Sequence, residues 1–95
     1  MSKPREVILI TRLVLDVLKP HQPSVIDFSR ELARVPGVRR IDISVLEVDA
    51  ETETVKLVID GENIELEKIS EAIKNLGGAI HSVDAAVVER VDYRR

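Results

Sequence analysis

The chain has 95 residues, of which 44% are hydrophobic and 33% are charged, and its formal net charge is −3. This length corresponds to one domain, residues 1–95, and the small negative charge argues against a nucleic-acid partner, because phosphate binding needs a basic excess. No cysteine is present to form disulfides or thiolate sites, and without a signal peptide or an apolar run of roughly 20 residues the chain is expected to be cytoplasmic with no membrane partner.

The first half of the chain predicts a strand, a helix and a second strand. Apolar residues alternate from Glu6 to Leu18, with the odd-numbered side chains directed to the core. After a proline-containing segment, apolar residues at spacings of three and four predict a helix of about three turns that ends at Pro36–Gly37. Alternation from Val38 to Val48 indicates the second strand.

The second half predicts a strand, a helix and a last strand. Alternation around Val55–Ile59 indicates the third strand, which Asp60–Asn63 ends. The stripe of apolar residues from Leu66 to Leu76 predicts a helix, and Gly77–Gly78 stops it because glycine tolerates the left-handed conformation past a helix end. The last strand is predicted from Ala79 to Val91, with residues 92–95 as a frayed tail.

Together these elements predict an α+β protein of the ferredoxin-like type, a βαββαβ sandwich. Its antiparallel sheet has the spatial order 4-1-3-2, and both helices cover one face of it through right-handed crossovers. The end of strand one, the hairpin after strand two and the start of strand four then meet at one rim of the sheet. Residues that carry chemistry are expected at this rim and on the face without helices, the helix-free face.

Two histidines are expected at the rim, His21 after strand one and His81 in strand four. The residues expected beside them are Lys19, the hairpin acids Asp49, Glu51 and Glu53, and the Gly77–Gly78 turn. Histidines and acids at one rim suit a metal or an anionic ligand, and His21 and His81 are the candidate contacts. Such residues are more commonly a solvated turn and surface histidines.

A second group of candidate residues is expected on the helix-free face. Arg12 and Asp16 of strand one face this side. Ser82 and Asp84 of strand four face it too. Cross-strand neighbours lie roughly 5 Å apart, so Asp16 faces either Ser82 or Asp84 directly, depending on the register. Two carboxylates so placed repel each other unless a cation or an arginine offsets them, so the sequence predicts either a calcium or magnesium ion held by Asp16 and Asp84, or an ion pair of one of them with Arg12. Ser82 and His81 would be secondary ligands of the cation.

The helix-free face is also predicted to be largely apolar. A monomer rarely exposes a large apolar patch, and an unprotected edge strand can pair with another chain. The chain is therefore expected to form homo-oligomers. The residues expected on this face are Ile8, Ile10, Val14, Leu18, Leu46, Val48, Val58, Ala86 and Val88.

Three phrases of the sequence resemble a known family. They are the segment 13–21 with Leu-Val-Leu-Asp-Val-Leu-Lys-Pro-His, the segment 77–84 with Gly-Gly-Ala-Ile-His-Ser-Val-Asp, and Glu47-Val48-Asp49 between them. In these phrases the chain resembles the archaeal domain-of-unknown-function 211 family of small proteins. The resemblance covers almost the whole chain and implies a ferredoxin-like fold, an archaeal source and oligomers, but no activity.

The sequence favours a non-enzymatic, homo-oligomeric module that binds a hard cation or a small ligand at the helix-free face, the rim or a subunit interface. One alternative is a small enzyme with a subunit-interface site that uses His21 and His81 as acid–base groups. A purely structural or protein-partner adaptor is the other. ACT-type regulatory domains share the step Pro36-Gly37-Val38 before a strand, but their ligand loop has no counterpart here.

Overall fold

The computed structural model describes residues 5–93 and contains the six predicted elements in the predicted order. They are β1 (Arg5–Pro20), α1 (Val25–Leu32), β2 (Val38–Val48), β3 (Thr52–Gly61), α2 (Leu66–Asn75) and β4 (Ala79–Tyr93). The predicted domain of residues 1–95 includes residues 1–4, 94 and 95, which lie outside the described part. Neither helix within residues 5–93 has the length and hydrophobicity needed to cross a membrane.

The four strands form one antiparallel sheet in the order β2-β3-β1-β4, which confirms the predicted ferredoxin-like topology. The odd-numbered side chains Leu13, Leu15 and Val17 of β1 enter the core, as the alternation predicts, whereas Val7 and Leu9 lie beyond a register shift and face the other side. Both helices cover this same face. The core side chains contributed by the neighbouring strand and by the helices are Val55, Leu57, Ile59, Phe28, Leu32, Ile69 and Ile73.

The last strand is longer than predicted. Residues 92 and 93 belong to β4 instead of a frayed tail, because β1 pairs with them: Asp92 lies opposite Glu6, and Tyr93 opposite Arg5. Residues 94 and 95 of the predicted tail lie outside the described range. β1 and β4 therefore continue together well beyond the end of β3.

Irregularities in strand pairing change which side chains reach the helix-free face. The ladder between β1 and β4 shifts register between Ile10 and Arg12 and again further along, and the β2–β3 ladder shifts after Val45. A shift of one residue moves every following side chain to the other face of the sheet.

Several residues predicted on the helix-free face consequently lie on the helix side. Ile10 packs against the core, and Val88 pairs with it. The other residues for which the prediction is wrong are Ile8, which precedes Ile10 by two positions, Ala86, which pairs with Leu13, and Val48, which pairs with Glu53. Val14, Leu18 and Val58 do occupy the helix-free face, since they alternate with core residues on the regular β1–β3 ladder.

Two glycines allow the chain to cross closely where α1 leads into β2 and β3 leads towards α2. Gly37 has φ +92°, a left-handed conformation that favours glycine. A Cβ atom on Gly61 would lie 1.9 Å from the carbonyl oxygen of Gly37. That same oxygen accepts a hydrogen bond from the Glu62 amide at 2.8 Å.

Replacing Gly61 with alanine should therefore lower the free energy of unfolding by about 3 kcal/mol or more, because the backbone at Gly37 has to move. Gly77→Ala is the matched control. Its Cβ would meet only the Pro20 Cγ atom at 3.3 Å, so it should cost about 1–2 kcal/mol for the left-handed backbone alone. Urea unfolding followed by circular dichroism measures both, and equal losses would contradict the close crossing.

Candidate functional site

A cavity of about 270 Å³ opens on the helix-free face near the end of β1. It is lined by Asp16, Leu18, Thr54 and His81. Asp16 and Leu18 alternate on β1, and Thr54 of β3 pairs with Leu18. His81 reaches the cavity through a bulge, because the β1–β4 ladder passes from Asp16–Ser82 to Val17–Ile80 and leaves His81 without a partner position.

One oxygen of Asp16 is the most unusual polar atom of this cavity. Its Oδ1 is shielded from solvent and has no hydrogen-bond partner among the described residues. Ser82 and Lys56 occupy the cross-strand positions on either side of Asp16, but neither bonds to this oxygen. A carboxyl oxygen removed from water without a donor or a cation costs free energy, so this oxygen of the site is uncompensated.

The two other predicted ligands on this face are bonded to each other. The Ser82 hydroxyl donates a hydrogen bond to Oδ1 of Asp84 at 2.7 Å. The register places Ser82, and not Asp84, directly opposite Asp16. Across residues 5–93, no three His, Asp or Glu side chains are grouped closely enough to hold a metal ion by themselves. A cation at Asp16 would thus take further oxygens from hydroxyls, the main chain, water or a second copy.

His21 lies in a different group, on the helix side of the sheet. Its Nδ1 is 3.2 Å from Oε2 of Glu53, and its Nε2 is 3.0 Å from the carbonyl oxygen of Ala50. His21 and Glu53 meet at the predicted rim. His81 lies near the same end of the sheet, but it lines the cavity on the opposite face with Asp16.

Lys19 stands at the centre of the His21 group and is completely buried. Its Nζ donates to the carbonyl oxygen of Pro20 at 2.8 Å and to Oε1 of Glu53 at 3.2 Å. The ammonium also lies 5.7 Å from the centre of the Phe28 ring, within the range of a cation–π contact. These contacts tie the end of β1 to the hairpin and to α1, so we assign Lys19 a structural role.

The charges of this group shift one another's protonation. The hydrogen bond to Glu53 raises the pKa of His21, and the Ala50 carbonyl adds to the effect. The same bond, followed by that from Lys19, lowers the pKa of Glu53. Since both ring nitrogens of His21 face acceptors, the doubly protonated imidazolium is the form that matches its surroundings.

Arg12 does not pair with Asp16 or Asp84, so the predicted ion-pair alternative is wrong. Its Nε donates to Oδ1 of Asp60 at 2.6 Å, and Nη1 of Arg40 lies 3.3 Å from the other oxygen of Asp60. The hydrogen bond from Arg12 is the main cause of the lowered pKa of Asp60. Sequence reasoning missed this cluster because it depends on the register that places Arg12, Asp60 and Arg40 side by side on three strands.

The His21–Glu53 contact predicts a pH-dependent stability. Because the folded-state pKa of His21 is raised, its contribution is fully present below the unfolded value of about 6.5 and is lost as the pH rises through the folded value. The lowered pKa of Glu53 makes its contribution present above about 4.3 and lost as the pH falls through the folded value.

His21→Gln should therefore lower the melting temperature near pH 6 and have less effect near pH 9, as scanning calorimetry would measure. In a Glu53→Gln background the His21 substitution should have the same small effect at both pH values. A His21→Gln penalty that stays constant from pH 6 to pH 9 in the otherwise unchanged protein would contradict the contact.

Comparisons with known proteins place the chain in a family. The DUF211 family model, described as an uncharacterised ArCR family, matches residues 11–91. The chain is also 45% identical over 78 residues to the uncharacterised protein MJ0319 of Methanocaldococcus jannaschii, in an alignment that spans 82% of this chain and 80% of that protein. The family predicted from the three sequence phrases is confirmed. The chain belongs to the archaeal DUF211 family of unknown function.

Proposed function

We propose that this protein is a cytoplasmic, non-enzymatic module that assembles with copies of itself and binds a hard cation, calcium or magnesium, at the Asp16 cavity. The observation that supports the cation is the shielded Oδ1 of Asp16, which has no partner among the described residues. A bound cation would offset the cost of that oxygen, which no side chain beside it does.

The neighbouring groups support a hard, oxygen-loving ion. Asp16, Ser82 and Thr54 offer carboxylate and hydroxyl oxygens, and Asp84 adds negative charge through its bond to Ser82. Calcium accepts such oxygens at irregular angles and fills its shell with water, whereas magnesium demands a near-octahedral arrangement. Calcium is therefore the first choice. Lys56 lies beside Asp16 on β3, and its positive charge disfavours cation binding there.

The test is a calorimetric titration with calcium and, separately, with magnesium. The Asp16→Asn/Asp84→Asn double variant should lose all measurable binding, because the neutral amides no longer attract the ion. Glu67→Gln, which removes one exposed charge from α2, is the matched control and should bind like the unchanged protein.

Lys56→Met gives a second, opposite readout. Removing a positive charge beside the site should tighten calcium binding roughly fivefold, about the effect of one unit charge at a few ångströms in a solvated environment. Equal affinity in the unchanged protein and the double variant would overturn the site. It would also be overturned if neither calcium nor magnesium bound at millimolar concentration.

Self-association is supported by a different observation, the large number of exposed aliphatic side chains. Val45, Leu46 and Val48 are exposed near the β2–β3 hairpin, and Val83, Val87 and Val88 are exposed along β4. β2 and β4 are the two edges of the sheet, and each has a row of backbone groups open to pairing. Patches of this kind favour burial against another chain.

Sedimentation equilibrium at micromolar concentration should show a species larger than one chain, because the exposed aliphatic surface is buried on association. The expected mass decreases towards that of one chain on dilution, by mass action. A single-chain mass throughout the concentration range would overturn self-association.

Two other functions remain alternatives with their own tests. An acid–base enzyme would use His21 and His81, but it would have to bring together groups that occupy different faces of the sheet, which requires a second subunit. A bell-shaped pH–rate profile lost in both His→Gln variants would support it. A protein-partner adaptor would instead bind no ion and bury the exposed β4 valines against its partner.

A further inference from the structure

β1 and β4 extend past the rest of the sheet as a two-stranded arm, residues 5–10 and 88–93. β3 pairs with β1 only from Arg12 onward, so within residues 5–93 the arm has no third strand. Its length contributes to an elongated molecule of 62 × 22 × 17 Å. In the described part of the chain, the edge of β1 that faces away from β4 has no strand partner along this arm.

The arm carries aliphatic side chains on both of its faces. Ile8 and Val88, which lie on the same side as the core residue Ile10, are 59% and 57% exposed. Val7 and Val91 pair on the opposite side. A two-stranded ribbon is marginally stable in water unless one of its faces is covered by another element. Within residues 5–93 the two helices pack on the body of the sheet, and Val7, Ile8 and Val88 of the arm stay exposed although Leu9 is buried.

A groove of about 780 Å³ runs from the body of the sheet onto the second face of the arm. Leu9, Val87 and Val91 provide its apolar lining. Its charged lining is balanced, with three arginines and three acids: Arg12, Arg39, Arg40, Asp60, Glu62 and Glu89. A balanced groove with an apolar lining does not have the one-sided charge that nucleic acid or an anionic membrane surface requires.

We infer that the occupant of this groove is the arm of a second copy, packed face to face against the first. The inference rests on the self-association proposed above and names the surface that produces it. Because part of the groove is the arm itself, an arm that enters a partner's groove presents its own groove to that partner at the same time. Such a two-fold contact is closed and self-complementary, and paired sheets of this kind lie roughly 10 Å apart.

The composition of the face suits a copy of itself. Val7 and Val91 of each arm, with Val87 at its base, would meet the same residues of the other copy, so apolar surface is buried on both sides above Leu9, which is only 5% exposed. Within the described residues, Arg39, Glu62 and Glu89 of the groove make no ion pair. Charges of both signs are therefore available to pair across a two-fold axis.

Val87→Glu tests the arm contact, and Ile26→Glu on α1 is its control. Val87 is 44% exposed and Ile26 is 61% exposed, so each substitution places a charge at an exposed aliphatic position. Ile26 belongs to a helix and to neither edge strand. Sedimentation should show at least tenfold weaker self-association for Val87→Glu and none of this loss for Ile26→Glu, with melting curves confirming that both variants are folded.

Distances between spin labels give a readout that does not depend on a destabilising substitution. The chain has no cysteine, so Glu89→Cys and Leu46→Cys each provide a single labelling site. Arms packed face to face should bring two Glu89 labels within about 30 Å, given the sheet spacing and an arm of about six residues. Leu46 labels, at the far ends, should be farther apart than the 62 Å length of one copy.

The outcomes separate the arm from self-association in general. A chain that stays monomeric overturns both self-association and the arm contact. A chain that assembles equally well with Val87→Glu, or whose Glu89 labels show no short distance, keeps self-association and overturns the arm contact. A small molecule that co-purifies in the groove, detected as added mass in native mass spectrometry and released by Val87→Glu, also overturns it.

Discussion

The pairing of β1 with a neighbour on each side is the constraint on which the rest of the structure depends. With β3 the pairing is regular from Arg12 to Pro20. With β4 it shifts register three times along its length. The regular ladder sets the core and the face of each β1 side chain, whereas the irregular ladder decides which β4 side chains join them. The hydrophobic core and the candidate cation site are therefore two faces of the same strand.

This alternation explains why the two histidines are separate. Leu18 and Lys19 are consecutive residues and point to opposite faces. Lys19 extends into the helix side, where it holds Glu53 and, through it, His21. Leu18 faces the cavity that contains Asp16 and His81. One group stabilises the end of the core with charges that satisfy each other, and the other contains a carboxylate oxygen without a partner. Among the described residues, only the second has a shielded polar atom without a partner.

The sequence was sufficient for the elements and for their order in the sheet, because periods of two and 3.6 residues are local and each segment contains several repeats of its period. That order also predicted that Asp16 faces either Ser82 or Asp84, and only the register selects Ser82. The faces of Ile8, Ile10, Ala86 and Val88 did not, since a bulge depends on how two distant strands pair and no glycine or proline in the 79–93 segment announces it.

The burial of Lys19 and the Arg12–Asp60 pair were unpredictable for a related reason. A lysine at the end of an apolar alternation is ordinarily a surface residue. Its burial here requires two acceptors: Glu53, which is distant in sequence, and the carbonyl of Pro20, which the following loop positions. Arg12 had several acids within reach of a plausible register. Only the pairing of β1 with β3 selects Asp60, and that choice leaves Asp16 without the arginine that would have neutralised it.

The candidate cation site and the arm depend on different parts of β1, and this separation bears on how they could influence each other. Asp16 lies on the three-strand part of the ladder, whereas the arm begins at Ile10, beyond the bulge that precedes Arg12. Both an ion and a second copy would bind the folded chain and stabilise it by mass action.

Coupling between the ion and the second copy would need an element with two arrangements that both sites bias. The Arg12–Asp60–Arg40 cluster lies between the two regions and links β1, β2 and β3. A cation that takes no oxygen from a second copy is thus expected to add to the stability gained by assembly, and neither should change the affinity of the other.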